Sequence, residues 1–537
     1  MVCCATYAAK KPYQAIVNLI SYDKTGEVLA SGNGFFISSE GKVVVPYQLL
    51  KNAFRAEVID TKGKRYEVAR VVGANSTYDL AVLTITAKKP KFEYFNISKD
   101  SVVAGASLIT YPYSAKKAKP IAVSVDSVMP YDSLCYYSTS VPNEKRYVGC
   151  PLLNEAGEVV AVVQSNVKDS AQTSFAIDAR FVPTLRTKAM SSWNTDLRNI
   201  RIPKQLPENE QEALSYLLML DVADSLCTIT AHQDFIATYP NNPDGYMNHA
   251  SFSMVYGQYE QCEEFVNRAF EVAEKKGEVH YAFSKMLYQM VRGGVKYKDW
   301  TAEMSANEAA QAYALDSLPL YRQQEAHSRF LAGQFKDAQN CFQDVCKTDL
   351  VSAETHYLIA KCMLLTGSDT LAIIAQMDSA LNYVAPPIPK SQAFMVLERA
   401  NLLYEAGLYR RAVMDYNAYE GIMTPRLLTD RFYALRSQVE LSAKMYQQAL
   451  DDMLRARLLA PEEAFYPQEC ARIYLVTGNY DEAIRYAQES INLKSDNAEA
   501  YKILGLAHRQ LGNKQVAKEI LQKAKELGDD SVTPFLD

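Results

Sequence analysis

The spacing of glycines in the C-terminal half constrains the fold more than any other feature of the sequence. Glycine recurs in similar turn-like contexts at Gly257, Gly333, Gly367, Gly407, Gly478 and Gly512. Two of the intervals are 34 residues, and Lys444 stands 34 residues before Gly478, where a further glycine would fall. Apolar residues follow a 3.6-residue period over 208–527, which predicts helices. A fixed period of this length indicates helical hairpins that stack to bury their apolar faces.

The same half resembles the tetratricopeptide (TPR) family. Tyr501-x2-Leu504-Gly505 fits the first-helix signature of that family, and the second-helix signature recurs at Ala338-x3-Phe342, Ala412-x3-Tyr416, Ala449-x3-Met453 and Ala517-x3-Leu521. The resemblance implies an all-α superhelix of about 8–9 hairpins over residues 209–537. Repeat starts are predicted near Pro243, Pro319, Ala353, Ala393, Asp430, Ala464 and Ala498. It also implies a concave TPR face that binds a protein or peptide.

Residues 13–185 show a different pattern. About ten short apolar or alternating segments are separated by turn residues, with no long helix between them, which predicts a β-barrel or a β-sandwich. The segment Asp60–Lys64 has the length and the glycine of a hairpin turn. Residues 186–208, which contain Pro203 and Pro207, are predicted to form a linker to the helices.

Four motifs in this part resemble the high-temperature-requirement (HtrA/Deg) group of trypsin-like serine proteases. They occur in the family's order at Ser31–Gly41, Tyr78–Leu83, Gly149–Val160 and Ser174–Ile177. The resemblance implies an all-β trypsin-like double β-barrel with its active site in the cleft between the barrels. We therefore expect a multidomain chain in which this double barrel precedes the all-α TPR superhelix.

The resemblance assigns the three catalytic triad positions to Gln48, Asp79 and Val148, so that only the aspartate is retained. The six histidines begin at His232, and residues 1–231 therefore contain no imidazole to deprotonate a hydroxyl. Val148 has no nucleophilic atom. We expect a pseudoenzyme with the fold of a serine endopeptidase and without its activity.

Other routes to catalysis define the alternative function, a divergent trypsin-like serine or cysteine peptidase with unrecognised catalytic residues. Cys150 is a weak alternative nucleophile, although it occupies a glycine position of the family motif. A histidine of the helical half could reach the cleft. Asp79 could act in another hydrolysis with Asp132, Glu144 or Asp178, but scattered acidic residues are usually solvated surface.

The residues of the former cleft also allow two structural outcomes. Arg146 and Tyr147 replace small residues of the family motif before Gly149. Inward side chains would occlude the cleft, whereas outward ones would leave a peptide groove. We expect the Asp79 carboxylate to accept a hydrogen bond from the Gln48 amide or a nearby backbone N–H. The disulfide status of Cys135 and Cys150 is left open.

Composition and charge limit the kinds of partner and ligand that this chain is expected to bind. Residues 1–190 carry 23 Lys and Arg against 16 Asp and Glu, and the remainder carries 34 against 46. This asymmetry favours two separate modules over attraction between the two halves or to a charged partner. The basic residues of the barrel domain do not alternate with aromatic ones as a stacking platform for bases would, so nucleic-acid binding is not expected. No cofactor or metal motif is present, and no apolar run approaches a membrane span.

The N-terminal residues are relevant to the cellular compartment of the protein. Residues 1–12 resemble the end of an export signal, which predicts a periplasmic or otherwise exported protein. An unstructured N-terminus of a cytoplasmic protein is the alternative.

Overall fold

The structure is a computed structural model that describes residues 11–114, 118–165, 174–220 and 225–536. The chain divides into two compact units, residues 1–279 and residues 280–537. Apart from its last two residues, the predicted signal remnant at 1–12 lies outside the described residues.

Twelve strands within the described ranges form two closed, six-stranded antiparallel barrels. The first barrel contains β1 (Ile16–Tyr22), β2 (Val28–Phe36), β3 (Lys42–Val45), β4 (Arg55–Ile59), β5 (Arg65–Asn75) and β6 (Leu80–Ile85), in the order β1-β2-β3-β6-β5-β4. The second contains β7 (Ser107–Thr110), β8 (Ile121–Tyr131), β9 (Leu134–Thr139), β10 (Pro151–Leu153), β11 (Val159–Val163) and β12 (Ser174–Asp178), in the order β10-β11-β12-β9-β8-β7. The predicted double barrel is confirmed.

Strand alternation explains how the barrels close and how they join. In β1, Val17 and Leu19 belong to the core of the first barrel, whereas Ile16 lies in a second apolar cluster. That second cluster combines residues of both barrels, including Phe35 from β2 and Ile177 from β12. Because successive side chains of a strand face opposite sides, the same strands fill one barrel and hold it to the other.

The predicted linker at 186–208 is built into the first barrel. It includes a short helix, α1 (Thr195–Arg198), and places Leu197, Ile200 and Ile202 in the barrel core. The backbone N–H of Arg201 donates to the Ala53 carbonyl at 2.7 Å. The prolines suggested a free connection, but these three apolar side chains gain by leaving water, and burial against the barrel achieves this.

Eighteen further helices within the described residues follow as nine hairpins. They are α2 (Glu210–Leu218), α3 (Ser225–Thr238), α4 (Pro243–Val255), α5 (Tyr259–Val272), α6 (Lys276–Arg292), α7 (Ala302–Leu315), α8 (Pro319–Leu331), α9 (Phe335–Val345), α10 (Ala353–Leu365), α11 (Thr370–Asn382), α12 (Ala393–Glu405), α13 (Tyr409–Ile422), α14 (Asp430–Ser442), α15 (Tyr446–Leu459), α16 (Phe465–Val476), α17 (Tyr480–Leu493), α18 (Ala498–Gln510) and α19 (Lys514–Glu526). All seven predicted repeat starts lie within one residue of the first residue of a helix.

The boundary between the compact units does not coincide with the start of the helices. The unit that ends at Val279 contains both barrels and the helices α2 to α5. Arg70 of β5 donates from Nε and Nη2 to the two carboxylate oxygens of Asp234 in α3, at 2.6 and 2.7 Å. A paired guanidinium–carboxylate contact of this kind fixes orientation, so the first hairpin is held to the barrel.

The recurring glycine positions, with Lys444, mark the turn inside seven of the nine hairpins in the described residues. All six recurring glycines adopt a positive φ, between 71° and 87°. Lys444, at the position where a further glycine would fall, has φ 62°. This left-handed conformation is the usual one after a helix end and costs a residue with a Cβ roughly 1–2 kcal/mol.

Replacing Lys444 with glycine should therefore stabilise the α14–α15 hairpin. Relief of backbone strain exceeds the entropy that glycine adds to the unfolded chain, and we expect a gain of about 0.5–1 kcal/mol. Urea unfolding followed by circular dichroism measures it. The control is Lys347→Gly, at an exposed lysine outside the positive-φ positions. A gain no larger than in that control would contradict the strain argument.

Candidate functional site

Asp79 lies immediately before β6, beside the turn that follows β3. Its Oδ1 accepts a hydrogen bond from the backbone N–H of Gln48 at 2.9 Å. The N–H of Tyr47 also bonds this carboxylate. Of the two donors expected for Asp79, the backbone N–H is the one observed. The Gln48 side chain is exposed, at the position that the family resemblance gives to the histidine.

Partial burial dominates the electrostatics of Asp79. Loss of hydration raises the pKa of its carboxyl group to about 6, against the lowering effect of the Gln48 and Tyr47 amides. Its φ of 48° adds backbone strain that the neighbouring contacts must maintain. The carboxyl group therefore titrates close to neutrality.

This shift predicts how Asp79 affects stability with pH. The native carboxyl binds its proton more tightly than the unfolded one, so its contribution is complete below the unfolded pKa of 3.8 and is lost as pH rises through about 6. Relative to Asp79→Asn, the wild type should lose about 1–3 kcal/mol of unfolding free energy between about pH 4 and pH 7. Denaturant titrations of both proteins across this range measure the difference. A wild type that gains on the variant with rising pH would contradict this assignment.

The segment around Val148 belongs to the second barrel and lies close to the turn that carries Gln48. Asn33 of β2 donates from Nδ2 to the carbonyl oxygens of Arg146 and Val148, at 2.9 and 2.8 Å. Gly149 has φ 81°, and a Cβ there would lie 2.4 Å from the Asn33 carbonyl oxygen and 2.8 Å from Pro46 Cδ. The Val148 position is therefore next to the turn that carries Gln48, and the three positions assigned to the triad converge.

Asn33 is a residue of this site that the sequence motifs did not single out. It stands where the G-S-G motif of the family has serine. Its Oδ1 accepts from the backbone N–H of Tyr113 at 3.0 Å, so one side chain joins β2 to two segments of the second barrel. The departure from the motif at this position was the available signal.

The backbone around Val148 forms a tight turn. The N–H of Val148 donates to the Lys145 carbonyl at 3.2 Å, and the N–H of Gly149 donates to the Val163 carbonyl at 2.8 Å. In trypsin-like proteases the backbone N–H of the nucleophile helps to bind the oxyanion. Here the corresponding donor already has an intramolecular acceptor.

The side chains of Arg146 and Tyr147 take different directions. Tyr147 is buried in the core of the second barrel. The Arg146 side chain is 64% exposed, and its Nε lies 2.8 Å from a carboxylate oxygen of Glu144. Tyr147 thus turns into the barrel and Arg146 into solvent.

Cys150 lies below this surface. It is fully buried, and its Sγ is 3.8 Å from the Arg146 carbonyl oxygen. Burial raises the pKa of the thiol well above its ordinary value. Cys135 is half-buried, and both are free thiols. A buried, protonated thiol is a poor nucleophile.

The other acidic residues considered for hydrolysis each have their own partner. Asp132 accepts from the Tyr78 hydroxyl at 2.8 Å, and Glu144 pairs with Arg146. Asp178, which is 1% exposed, accepts from Arg180 Nη2 at 2.6 Å. Of the six histidines, the two in the first unit, His232 and His249, are buried within α3 and α4.

Within the part of the chain that the structure describes, no three His, Cys, Asp or Glu side chains form a cluster that could hold a metal ion. None of the described helices combines the length and apolar character required to span a bilayer.

Comparisons with known proteins agree with this geometry. Residues 32–162 match the model of the trypsin-like peptidase domain, and residues 471–532 match a tetratricopeptide repeat model. Two relatives named "Probable periplasmic serine endoprotease DegP-like" are 28% identical in Chlamydia trachomatis and 27% in Chlamydia muridarum, over 144 residues. The match covers 26% of this chain and 29% of each relative.

Solved structures give a weaker likeness. The active form of the Rv3671c protease from M. tuberculosis is 20% identical, with 33% of this chain and 83% of that chain covered and a TM-score of 0.28. The two closed barrels, the motif order and the family models together show that this chain joins a trypsin-like peptidase domain to tetratricopeptide repeats.

Proposed function

We propose that the peptidase domain of this chain is a pseudoenzyme and that the protein acts as a protein-binding adaptor or scaffold. The observation that carries the proposal is the pair of groups at the converging positions, an exposed Gln48 amide and an aliphatic Val148. An amide has no basic lone pair that can take a proton near neutral pH, and an isopropyl group cannot attack a carbonyl.

The surrounding geometry supports the same conclusion. The Val148 N–H is bonded to the Lys145 carbonyl, so it is not free to stabilise an oxyanion. Cys150 is fully buried beneath the loop that contains Val148, and the raised pKa of its thiol keeps it protonated. Asp79 retains its place, but it orients no imidazole and bonds backbone amides instead. Each of the three roles of the triad mechanism is therefore missing or reassigned.

The helical repeats supply the binding part of the proposal. The first helices of two successive hairpins, α10 and α12, contact each other through Tyr357 and Phe394, whose ring centroids are 5.1 Å apart. Glu398 accepts from the Tyr357 hydroxyl at 3.0 Å and from Lys361 Nζ at 3.4 Å. Phe394 remains 41% exposed. An exposed aromatic beside fixed charges suits recognition of a polypeptide.

Site-specific photo-crosslinking tests the adaptor role. A photoreactive phenylalanine analogue at position 394 should give a discrete crosslinked partner in extract from the source cells. The matched control is position 371 on α11, where Leu371 is also exposed, at 58%, but belongs to the second helix of its hairpin. Equal crosslinking from both positions, or none from 394, would contradict binding along the first helices.

An exported location is part of this proposal, because the two relatives are named periplasmic. Fractionation of the source cells by osmotic shock tests it. Recovery with cytoplasmic markers only would contradict it.

A further inference from the structure

A cysteine, a histidine and a glutamine meet in the middle of the helical array. Cys346 directly follows α9, and its Sγ lies 4.0 Å from Nε2 of His356 on α10. Nδ1 of His356 lies 3.1 Å from Oε1 of Gln376 on α11. A thiol, an imidazole and a group that orients the imidazole are thus arranged in sequence, as nucleophile, base and orienting residue are in thiol chemistry.

The glutamine contact fixes which imidazole nitrogen can act. A side-chain amide oxygen only accepts hydrogen bonds, so Nδ1 of His356 carries the hydrogen. In a neutral ring this leaves the lone pair on Nε2, which is the nitrogen nearest the Cys346 sulfur. The tautomer required for proton transfer from the thiol is therefore the one that Gln376 selects.

Cys346 differs from most of the other cysteines because it is partly exposed to solvent. Of the eight cysteines in the described residues, six are buried, and only Cys135 and Cys346 are partly exposed. The Cys135 sulfur lies 4.0 Å from Nη2 of Arg180. A guanidinium cannot take a proton from a thiol. Cys346 alone among these eight combines access with a neighbouring base.

We propose that Cys346 is a thiol modification site for small-molecule disulfides, with His356 as the base and Gln376 as a positioning residue. Nε2 of His356 accepts the thiol proton, and the thiolate attacks one sulfur of the disulfide. The sulfur–sulfur bond of the reagent breaks while a mixed disulfide forms on Cys346. The imidazolium then gives its proton to a basic leaving thiolate, or to water when the leaving thiolate is weakly basic, so one thiol is consumed and one thiol or thiolate is released.

The surroundings of Cys346 make a neighbouring base necessary. Partial burial raises the pKa of the Cys346 thiol and so disfavours the thiolate, which forms when His356 removes the proton. The adjacent ammonium of Lys347 pairs with Asp344 Oδ1 at 3.0 Å. The ring of Tyr383, which is 53% exposed, stacks on His356 with centroids 5.2 Å apart. His356 itself is half-buried, and the stacked ring of Tyr383 supports its ring plane.

Labelling of the full-length protein with 5,5′-dithiobis(2-nitrobenzoate) tests the proposal. The released chromophore gives the total rate, and peptide mass spectrometry assigns each thiol, including Cys3 and Cys4, which lie outside the described residues. At about pH 7, Cys346 should react faster than Cys135. His356→Gln should slow Cys346 about tenfold or more, Gln376→Leu about threefold, and neither should change Cys135.

The pH dependence distinguishes a base from a packing residue. Near pH 10, hydroxide removes the thiol proton, so the loss caused by His356→Gln should shrink to about twofold or less. Cys346 reacting no faster than Cys135 would overturn the proposal. So would an equal loss at both pH values, because it would show that His356 acts through packing. If His356→Gln fails to fold, the Gln376→Leu comparison at both pH values decides in the same way.

Discussion

Replacing Arg436 with alanine is expected to lower the unfolding free energy of the helical unit by about 3–5 kcal/mol, because the buried carboxylate of Asp452 loses its bidentate partner. The arginine that remains beside it, Arg455, is 54% exposed and lies 3.7 Å from Asp452 Oδ1. The side chains of Arg436 and Asp452 are both 4% exposed. Nη2 of Arg436 donates to Asp452 Oδ1 at 2.8 Å, and Nη1 donates to Glu420 Oε2 at 2.6 Å. One guanidinium therefore joins α13, α14 and α15 across two hairpins.

Two further variants test whether the buried ion pair causes the loss of stability in Arg436→Ala. Arg411→Ala removes a half-exposed arginine that is 3.2 Å from Asp378, and it should cost less than about 1 kcal/mol because solvent screens that pair. The double variant Arg436→Met with Asp452→Leu should recover most of the loss, since an apolar pair carries no desolvation penalty. Urea midpoints followed by circular dichroism measure all three proteins. A single-variant loss as small as that of Arg411→Ala would contradict the account.

Replacing Gly149 with alanine should destabilise the barrel unit by about 2–4 kcal/mol, the sum of backbone strain and a steric overlap. The new Cβ would lie 2.4 Å from the Asn33 carbonyl oxygen and 2.8 Å from the Pro46 ring. A backbone oxygen in a strand cannot move aside cheaply. The loop beside Val148 must then separate from the first barrel.

Gly63→Ala is the matched control for this prediction. Gly63 has φ 80°, close to the 81° of Gly149, but nothing lies within 4 Å of a Cβ built there. It should therefore show the strain alone, about 1 kcal/mol. Calorimetry gives the difference, and protection of the buried Cys150 from alkylation reports opening of this loop. Equal losses in the two variants would show that close packing at Gly149 is unimportant.

Local patterns were sufficient for much of the fold. The 34-residue spacing located most of the hairpins because a left-handed turn favours glycine, and the alternating strands indicated barrels. The same reasoning missed the packing of residues 186–208, since prolines suggest a free connection while Ile200 and Ile202 decide the outcome by burial. Tertiary packing of a few apolar residues is not visible in a local pattern.

The two candidate sites also differ in how far the sequence could predict them. Gln48, Asp79 and Val148 could be placed together because family motifs carry their spatial relation, and Asp79 does bond the Gln48 backbone. Cys346 directly follows α9, His356 lies on α10 and Gln376 on α11, and none of the three belongs to a motif. Only the packing angle of those helices brings them together, so no spacing rule in the sequence could indicate the contact.

The most direct test of the proposed loss of catalysis is casein turnover by the full-length protein together with a fluorophosphonate probe, with active trypsin as the positive control. We predict no cleavage above the buffer background and no probe on any barrel residue, because Gln48 and Val148 supply neither base nor nucleophile. Probe attachment at one barrel residue, with turnover abolished when that residue is mutated, would contradict this account.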